Sequence, residues 1–300
     1  MTAIITRDNQ FLMSPQNDLT FKILFGSEKN ANLLTSLLSS LTGESFGKMA
    51  ILNPFLLRNY PLEKEAILDI NAKTEQGTQI FIEMQRARLL SIPERMLFYW
   101  AKAHASQEIK GKDYFSLKRT IGICILGFPL YFYEEPLSCY QTLERREHER
   151  LCENLDLYFF QLGNNNYPKA QNITSEVLAW RTFLAATTEE EMIMAAQASE
   201  AVNEAFEILK GISQKKEIQA IYEAREKFLL DQATREREAR EEGKEEGKIE
   251  GKIEGKMEGR EEATNELIIR MNESGIPLES IISITGFSKE EVRKILNEYS

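Results

Sequence analysis

Apolar and polar residues change rhythm several times along this chain, and each change marks an element. Leu19, Phe21, Leu24 and Phe25 follow Asn17 and Asp18, which offer a helix cap, and Leu33, Leu34, Leu37, Leu38 and Leu41 repeat at helical spacing before Thr42 and Gly43. Helices therefore come first. The apolar run from Ile51 to Leu57 is interrupted by Pro54, which suits an edge strand. Residues 66–73 and 78–85 alternate apolar and polar on either side of a connection containing Gly77, the pattern of a β-hairpin. Ser91, then Pro93, opens a helix that ends at Gly111. Residues 119–128, with Ile121, Ile123 and Ile125, form a fully buried strand. The predicted order is α, β, β, β, α, β.

Two more strands are predicted at 138–145 and 155–162, separated from later helices by a turn at Gly163–Asn166. From Thr188 to Glu242 the pattern is helical, with Ile218, Ile221, Tyr222, Phe228 and Leu229 as an apolar stripe that would lie against the α/β core. Glycine then recurs every fourth residue at 243, 247, 251, 255 and 259, among Glu and Lys. In an isolated helix those glycines would cost about 4–5 kcal/mol relative to alanine. A charged linker and a helix that associates with a second copy through Gly, Ile249, Ile253 and Met257 are the two readings. Residues 263–300 read as a small helix-turn-helix-like unit, with Ser288 and Glu291 as a capping box. The expected division is a domain over 1–240, with its core at 14–130, a repeat over 241–262, and this unit.

Composition narrows the function. A chain of 300 residues with 42% apolar content can bury a sizeable core, which excludes wholesale disorder. The longest apolar run, Ile121 to Tyr133, falls short of the roughly 20 residues of a membrane span, so no membrane partner is expected. The opening residues lack the features of a secretion signal, and a cytoplasmic location is expected. Three cysteines, Cys124, Cys139 and Cys152, cannot build a disulfide framework or a four-thiolate zinc site and are expected to be buried thiols. With only two histidines, a bound metal must prefer oxygen. The net charge of -10 is uneven: residues 1–130 hold 15 Lys and Arg against 12 Asp and Glu, leaving 22 of the 37 basic and 35 of the 47 acidic residues to the tail. A polyanion would meet the front half, around Arg86, Arg88, Lys110, Lys112, Lys118 and Arg119.

The hairpin carries the candidate chemistry. With Glu75, Gln76 and Gly77 as the loop, Thr74 faces Thr78, and Asp69 comes opposite Glu83. Leu68, Ile70, Ala72, Ile80, Ile82 and Met84 then share one face, while Asp69, Asn71, Phe81, Glu83 and Gln85 share the other; a one-residue slip would mix them. Opposed carboxylates with Cβ atoms about 5 Å apart repel each other. A divalent cation offsets that repulsion, and Mg²⁺ typically takes one or two carboxylates with waters and substrate phosphate. Gln85 projects from the same face and could orient a water for attack on phosphorus. The plainer reading is a solvated acidic pair on a half-exposed face.

The order of elements, Asp69 on the second strand and Glu83-Met-Gln85 on the third resemble the PD-(D/E)XK nucleases. The stretch Asn17-Asp18-Leu-Thr-Phe21-Lys22-Ile-Leu-Phe25-Gly26, Arg95 with Tyr99, and Gln107 to Tyr114 are similar to the recombination-promoting nuclease and transposase family of that superfamily. The resemblance implies an α/β fold, an α/β/α sandwich around a mixed sheet. It also implies a Mg²⁺-dependent, or Mn²⁺-dependent, endonuclease on double-stranded DNA, acting in recombination or transposition. Asp69 and Glu83 would be metal ligands, and Gln85 would take the position of the superfamily's lysine. Without that charge, transition-state stabilisation would fall to a second metal, to Lys22 or to Arg95. Asp18 and Lys22, one turn apart, either pair with each other or belong to the site. Arg95 and Tyr99 share a helix face and either contact phosphate or, for Tyr99, pack in the core. The alternative function is a non-catalytic DNA-binding or assembly protein on the same scaffold.

Overall fold

The computed structural model of the protein describes residues 4–6, 8, 10–52, 55–56, 66–107, 113–130, 135–163 and 173–298. The chain begins with a short antiparallel pair, β1 (Ile4–Ile5) and β2 (Phe11–Leu12), followed by α1 (Asp18–Phe25) and α2 (Ala31–Thr42). Asn17 caps α1, its Oδ1 accepting from the backbone N–H groups of Leu19 and Thr20. Gly43 ends α2 with a φ of 73°, a left-handed conformation that glycine adopts without steric cost. Then come β3 (Met49–Ile51), the two-residue strands β4 (Phe55–Leu56) and β5 (Ala66–Ile67), β6 (Ile70–Thr74) and β7 (Gln79–Gln85). Helix α3 (Ile92–Ala105) crosses over to β8 (Thr120–Leu126), and β9 (Leu137–Tyr140) and β10 (Leu155–Gln161) complete the strands.

Six strands form one mixed sheet in the order β3-β6-β7-β8-β10-β9. The hairpin pairs Ile70 with Ile82, Asn71 with Phe81, Ala72 with Ile80 and Lys73 with Gln79, the register the alternation predicts. Gly77 turns the loop at φ 93° and donates its N–H to Thr74 O at 2.9 Å. β7, β8 and β10 run parallel; β8 and β10 are buried along their whole length and β7 everywhere but at its end residues, Gln79 and Gln85.

Helices cover both faces, giving an α/β fold with three layers. Ile80, Ile82, Ile121, Ile123, Ile125 and Phe160 pack against α1, α2 and the later helices α4 (Ser175–Ala185), α5 (Glu189–Ala198) and α6 (Glu200–Ser213). Phe81, Cys124, Leu126, Leu157 and Phe159 pack beneath α3, against Ile92, Met96, Tyr99 and Ala103. Period-two alternation thus feeds two cores from the same strands.

Several expectations shift. The edge strand is Met49–Ile51; Phe55–Leu56 instead pairs with Ala66–Ile67 in a separate ladder, and residues 53–54 and 57–65 lie outside the described residues. The strand expected over 138–145 spans Leu137–Tyr140, continued only by an isolated bridge between Leu143 and Arg150. The α3 helix ends at Ala105; residues 108–112, with Lys110 and Lys112, and 164–166 of the Asn-rich turn are outside the described residues. Cys124 is buried as expected, but Cys139 and Cys152 are exposed.

Two compact units make up the chain, 1–228 and 229–300. Helix α7 (Lys216–Glu273) starts in the first, where Tyr222 is buried but Ile221 and Phe228 are exposed. In the second unit α7 runs unbroken through the glycine repeat, with Ile249, Ile253 and Met257 exposed. There α8 (Leu278–Thr285) and α9 (Lys289–Glu298) join its end around Ile268, Ile281 and Val292. Ser288 and Glu291 form the predicted capping box.

Candidate active site

Glu83 lies near the end of β7, beside Cys124 of β8 in the parallel register, and the alternation that buries Phe81 under α3 buries Glu83 there too. The opposite strand is less regular. β6 starts at Ile70, and Leu68 packs with Phe81 in the α3-side cluster, whereas Ile70 and Ala72 pack in the other. Strict alternation from 68 to 73 places Leu68 on the wrong face: a bend at Asp69 reverses the parity. At that bend the Asp69 Oδ2 accepts the Met84 N–H at 2.8 Å, where a ladder carbonyl would otherwise serve. Glu83 Oε1 accepts the Asp69 N–H at 3.2 Å. The latter bond joins the two acids directly and the former ties Asp69 to the residue after Glu83, one step beyond the Ile70–Ile82 pair.

Two cations attend them. Lys22, in the last turn of α1, brings Nζ to 3.0 Å from Asp69 Oδ1, and Arg95, near the start of α3, brings Nη2 to 3.2 Å from Glu83 Oε2. Arg95 Nε also donates to the Tyr99 hydroxyl at 3.1 Å, and its guanidinium lies 5.1 Å from the Tyr99 ring centroid. Tyr99 is therefore both core packing and the support of Arg95. Asp18 does not pair with Lys22. It accepts two-pronged hydrogen bonds from Arg225 of α7, Nε at 3.0 Å and Nη2 at 2.6 Å, which frees Lys22 to reach Asp69.

Electrostatics sharpen the picture. Burial and the neighbouring Asp69 carboxylate push the Glu83 carboxyl up to about 8, against the opposing pull of Arg95, the Asp69 N–H and Lys22. Burial also raises the Tyr99 hydroxyl. Burial alone would raise Asp18, but the hydrogen bonds and charge of Arg225, with Lys22, hold it below the usual carboxylate range.

Among the described residues no group of three or more His, Cys, Asp and Glu could hold a metal. What the site offers is an acidic pair, one member of which resists ionising beside the other. That donor set fits a hard divalent cation completed by water and phosphate, and it does not fit zinc. Gln85 is on the same strand, two residues beyond Glu83, and its Nε2 donates to Ala87 O at 3.3 Å.

The surroundings contain residues that the pattern did not single out. Glu226 of α7 accepts from Asn17 Nδ2 at 2.7 Å and pairs with Arg86. Arg119 is locked between Glu44, at 2.7 Å, and the buried Asp156, at 2.5 Å. Arg86 and Arg119 are thus structural ion pairs and not members of an open basic patch. Arg225 and Glu226 sit in an ordinary charged helical stretch, Glu223-Ala-Arg-Glu-Lys227, with no spacing to mark them.

Paired acids at the ends of adjoining strands, in a mixed sheet flanked by helices, define the PD-(D/E)XK class of nuclease folds. A family model described as "PD-(D/E)XK nuclease family transposase" matches residues 15–239, and the chain belongs to that family. PD-(D/E)XK nucleases generally use divalent metals. No curated protein and no solved structure matches the chain significantly. Among the described residues no helix is long and apolar enough to cross a membrane.

Proposed function

We propose that the protein is a divalent-metal-dependent endodeoxyribonuclease that hydrolyses phosphodiester bonds of double-stranded DNA during recombination or transposition. The observation that carries this reading is the hydrogen bond from the Asp69 N–H to Glu83 Oε1 at one strand end, with the Asp69 carboxylate held beside it on the Met84 N–H. In this reading those two carboxylates hold Mg²⁺ or Mn²⁺, which would lower the cost of deprotonating water and of developing charge on phosphorus. Lys22 and Arg95, released from the carboxylates, engage phosphate oxygens. Gln85, turned from Ala87, orients the attacking water. Residues 1–240 constitute the nuclease domain, and the protein acts in the cytoplasm.

The 241–262 repeat joins copies of the chain, and 263–300 forms an accessory unit. This part rests on the glycine-bearing helix, which is unbroken and exposed.

The decisive experiment is plasmid nicking by purified protein with and without Mg²⁺ or Mn²⁺. Wild type should nick only with the cation, and Asp69→Ala should lose at least about a hundredfold in rate, comparable to losing a central electrostatic element. Activity that persists in Asp69→Ala would overturn the site. DNA binding without cleavage in either cation would favour the non-catalytic alternative.

A further inference from the structure

Arg225 is the third cation at this site, and it comes from a helix far outside the strand-helix-strand core. Its guanidinium is aimed by Asp18, which accepts from Nε and Nη2 together, and it lies 5.4 Å from the Phe228 ring centroid. The hydrogen bonds to Asp18 raise its pKa, and the Asp18 and Asp69 charges add to that. Lys22, one turn after Asp18 on α1, is bonded to the same Asp69. The side chains of Lys22, Arg95 and Arg225 are 40%, 35% and 40% exposed, so all three are held by carboxylates yet remain open to solvent.

From this placement we infer that Arg225 binds a backbone phosphate of the nucleic acid, with Asp18 as the positioning residue that fixes its guanidinium. The inference rests on the nuclease reading of Asp69 and Glu83, because a phosphodiester at those acids brings its neighbouring phosphates within reach of the surrounding cations. Asp18 selects arginine at 225: a planar fork can give two hydrogen bonds to a carboxylate and still present N–H groups to a phosphate, which an ammonium cannot do in a fixed direction. The α7 helix then completes the binding surface, and the family match extending to residue 239 takes in the segment that supplies it.

The test is equilibrium binding of a short duplex to the full chain in Ca²⁺, without cleavage, across a salt series. Arg225→Ala should weaken binding about tenfold and reduce the slope of log affinity against log salt by about 0.9, the value of one lost phosphate contact. Lys210→Ala, a surface cation paired with Glu207, should leave the slope unchanged. Arg225→Lys should restore the slope, because the charge returns. Asp18→Asn should keep the slope while lowering single-turnover cleavage in Mg²⁺ several-fold, because the guanidinium is no longer aimed.

An unchanged slope in Arg225→Ala, with wild type binding normally, overturns this inference and leaves the nuclease reading standing. A loss of affinity in Arg225→Ala with no change in slope marks a structural role and also overturns it. If the wild type neither binds nor cuts duplex DNA, both readings fall together. Thermal melting of each variant identifies any unfolding, and Arg225→Gln, which keeps a polar side chain and removes the charge, is read for the same loss of slope if Arg225→Ala does not fold, an unchanged slope there overturning the inference.

Discussion

Glu83 carries more of the site's physics than any other residue. In the unfolded chain its carboxyl ionises near 4.5, whereas burial and Asp69 push it up to about 8 in the fold. A raised folded value contributes stability that is complete below the unfolded value and drains away as pH rises toward the folded one. The metal-free protein should therefore lose about 2–4 kcal/mol between roughly pH 5 and 8.5 from this group, and Glu83→Gln should flatten that loss. Urea titrations in chelator across this range measure it. Equal pH dependence in wild type and Glu83→Gln would contradict the burial. Metal ligation requires the ionised form, so cation binding near pH 7 should release up to about one proton per ion, visible as a buffer-dependent calorimetric heat. Asp69 shows how much of a residue's role is visible before folding. Its place opposite Glu83 follows from hairpin register, but its carboxylate capping the Met84 N–H follows from a bend that no alternation encodes.

The three parallel strands set the depth at which the acids are held, and one glycine shows how tightly. A Cβ added at Gly122 of β8 would come 2.5 Å from Phe81 Cζ and 2.7 Å from Leu157 Cδ2, contacts that a packed core cannot absorb without moving side chains. Gly122→Ala should destabilise the protein by about 1–3 kcal/mol in denaturant unfolding. Phe81 precedes Glu83 by two residues on the same face, so the displacement should also weaken cation binding. A variant as stable as wild type would mean that this interface is loose. Helices α1, α2 and α3 and strands β6, β7, β8 and β10 were legible because each has a local period and local stop signals. The edge elements were less so. Short strands such as β3 and β9 are selected by the neighbour they pair with, and a proline or a polar residue at their ends gives only a weak local clue.

Across the whole chain, the longest helix presents the clearest departure from economy. A Cβ added at Gly243, Gly247, Gly251, Gly255 or Gly259 meets nothing within 4 Å, so no contact within the described chain requires glycine there. Replacing all five by alanine should raise helix stability by about 4–5 kcal/mol before any association is considered. If the glycines serve close approach of two copies, the same variant should become monomeric while its helical signal melts at a higher temperature. Light scattering and circular dichroism together test this. A wild type that is monomeric, or a variant that still oligomerises, would remove the repeat from any role in assembly. Charge behaves similarly at this scale: of the cations expected to meet a polyanion, Arg86 and Arg119 are paired with Glu226, Glu44 and Asp156 from distant parts of the chain, and Lys110 and Lys112 lie outside the described residues.

The amino-acid order alone determined the central succession of elements, the two-sided strands and the hairpin register as far as Ile70 and Ile82, and so brought Asp69 near Glu83. Those properties depend on periods of two or 3.6 residues and on turn chemistry, which act between near neighbours. Tertiary structure alone decided which cation serves which acid. Asp18 had Lys22 one turn away, yet it bonds Arg225, 207 residues further along, and Lys22 turns to Asp69. An ion pair is chosen by the approach of side chains in space, where burial strengthens a well-oriented partner, and sequence distance has no part in that choice.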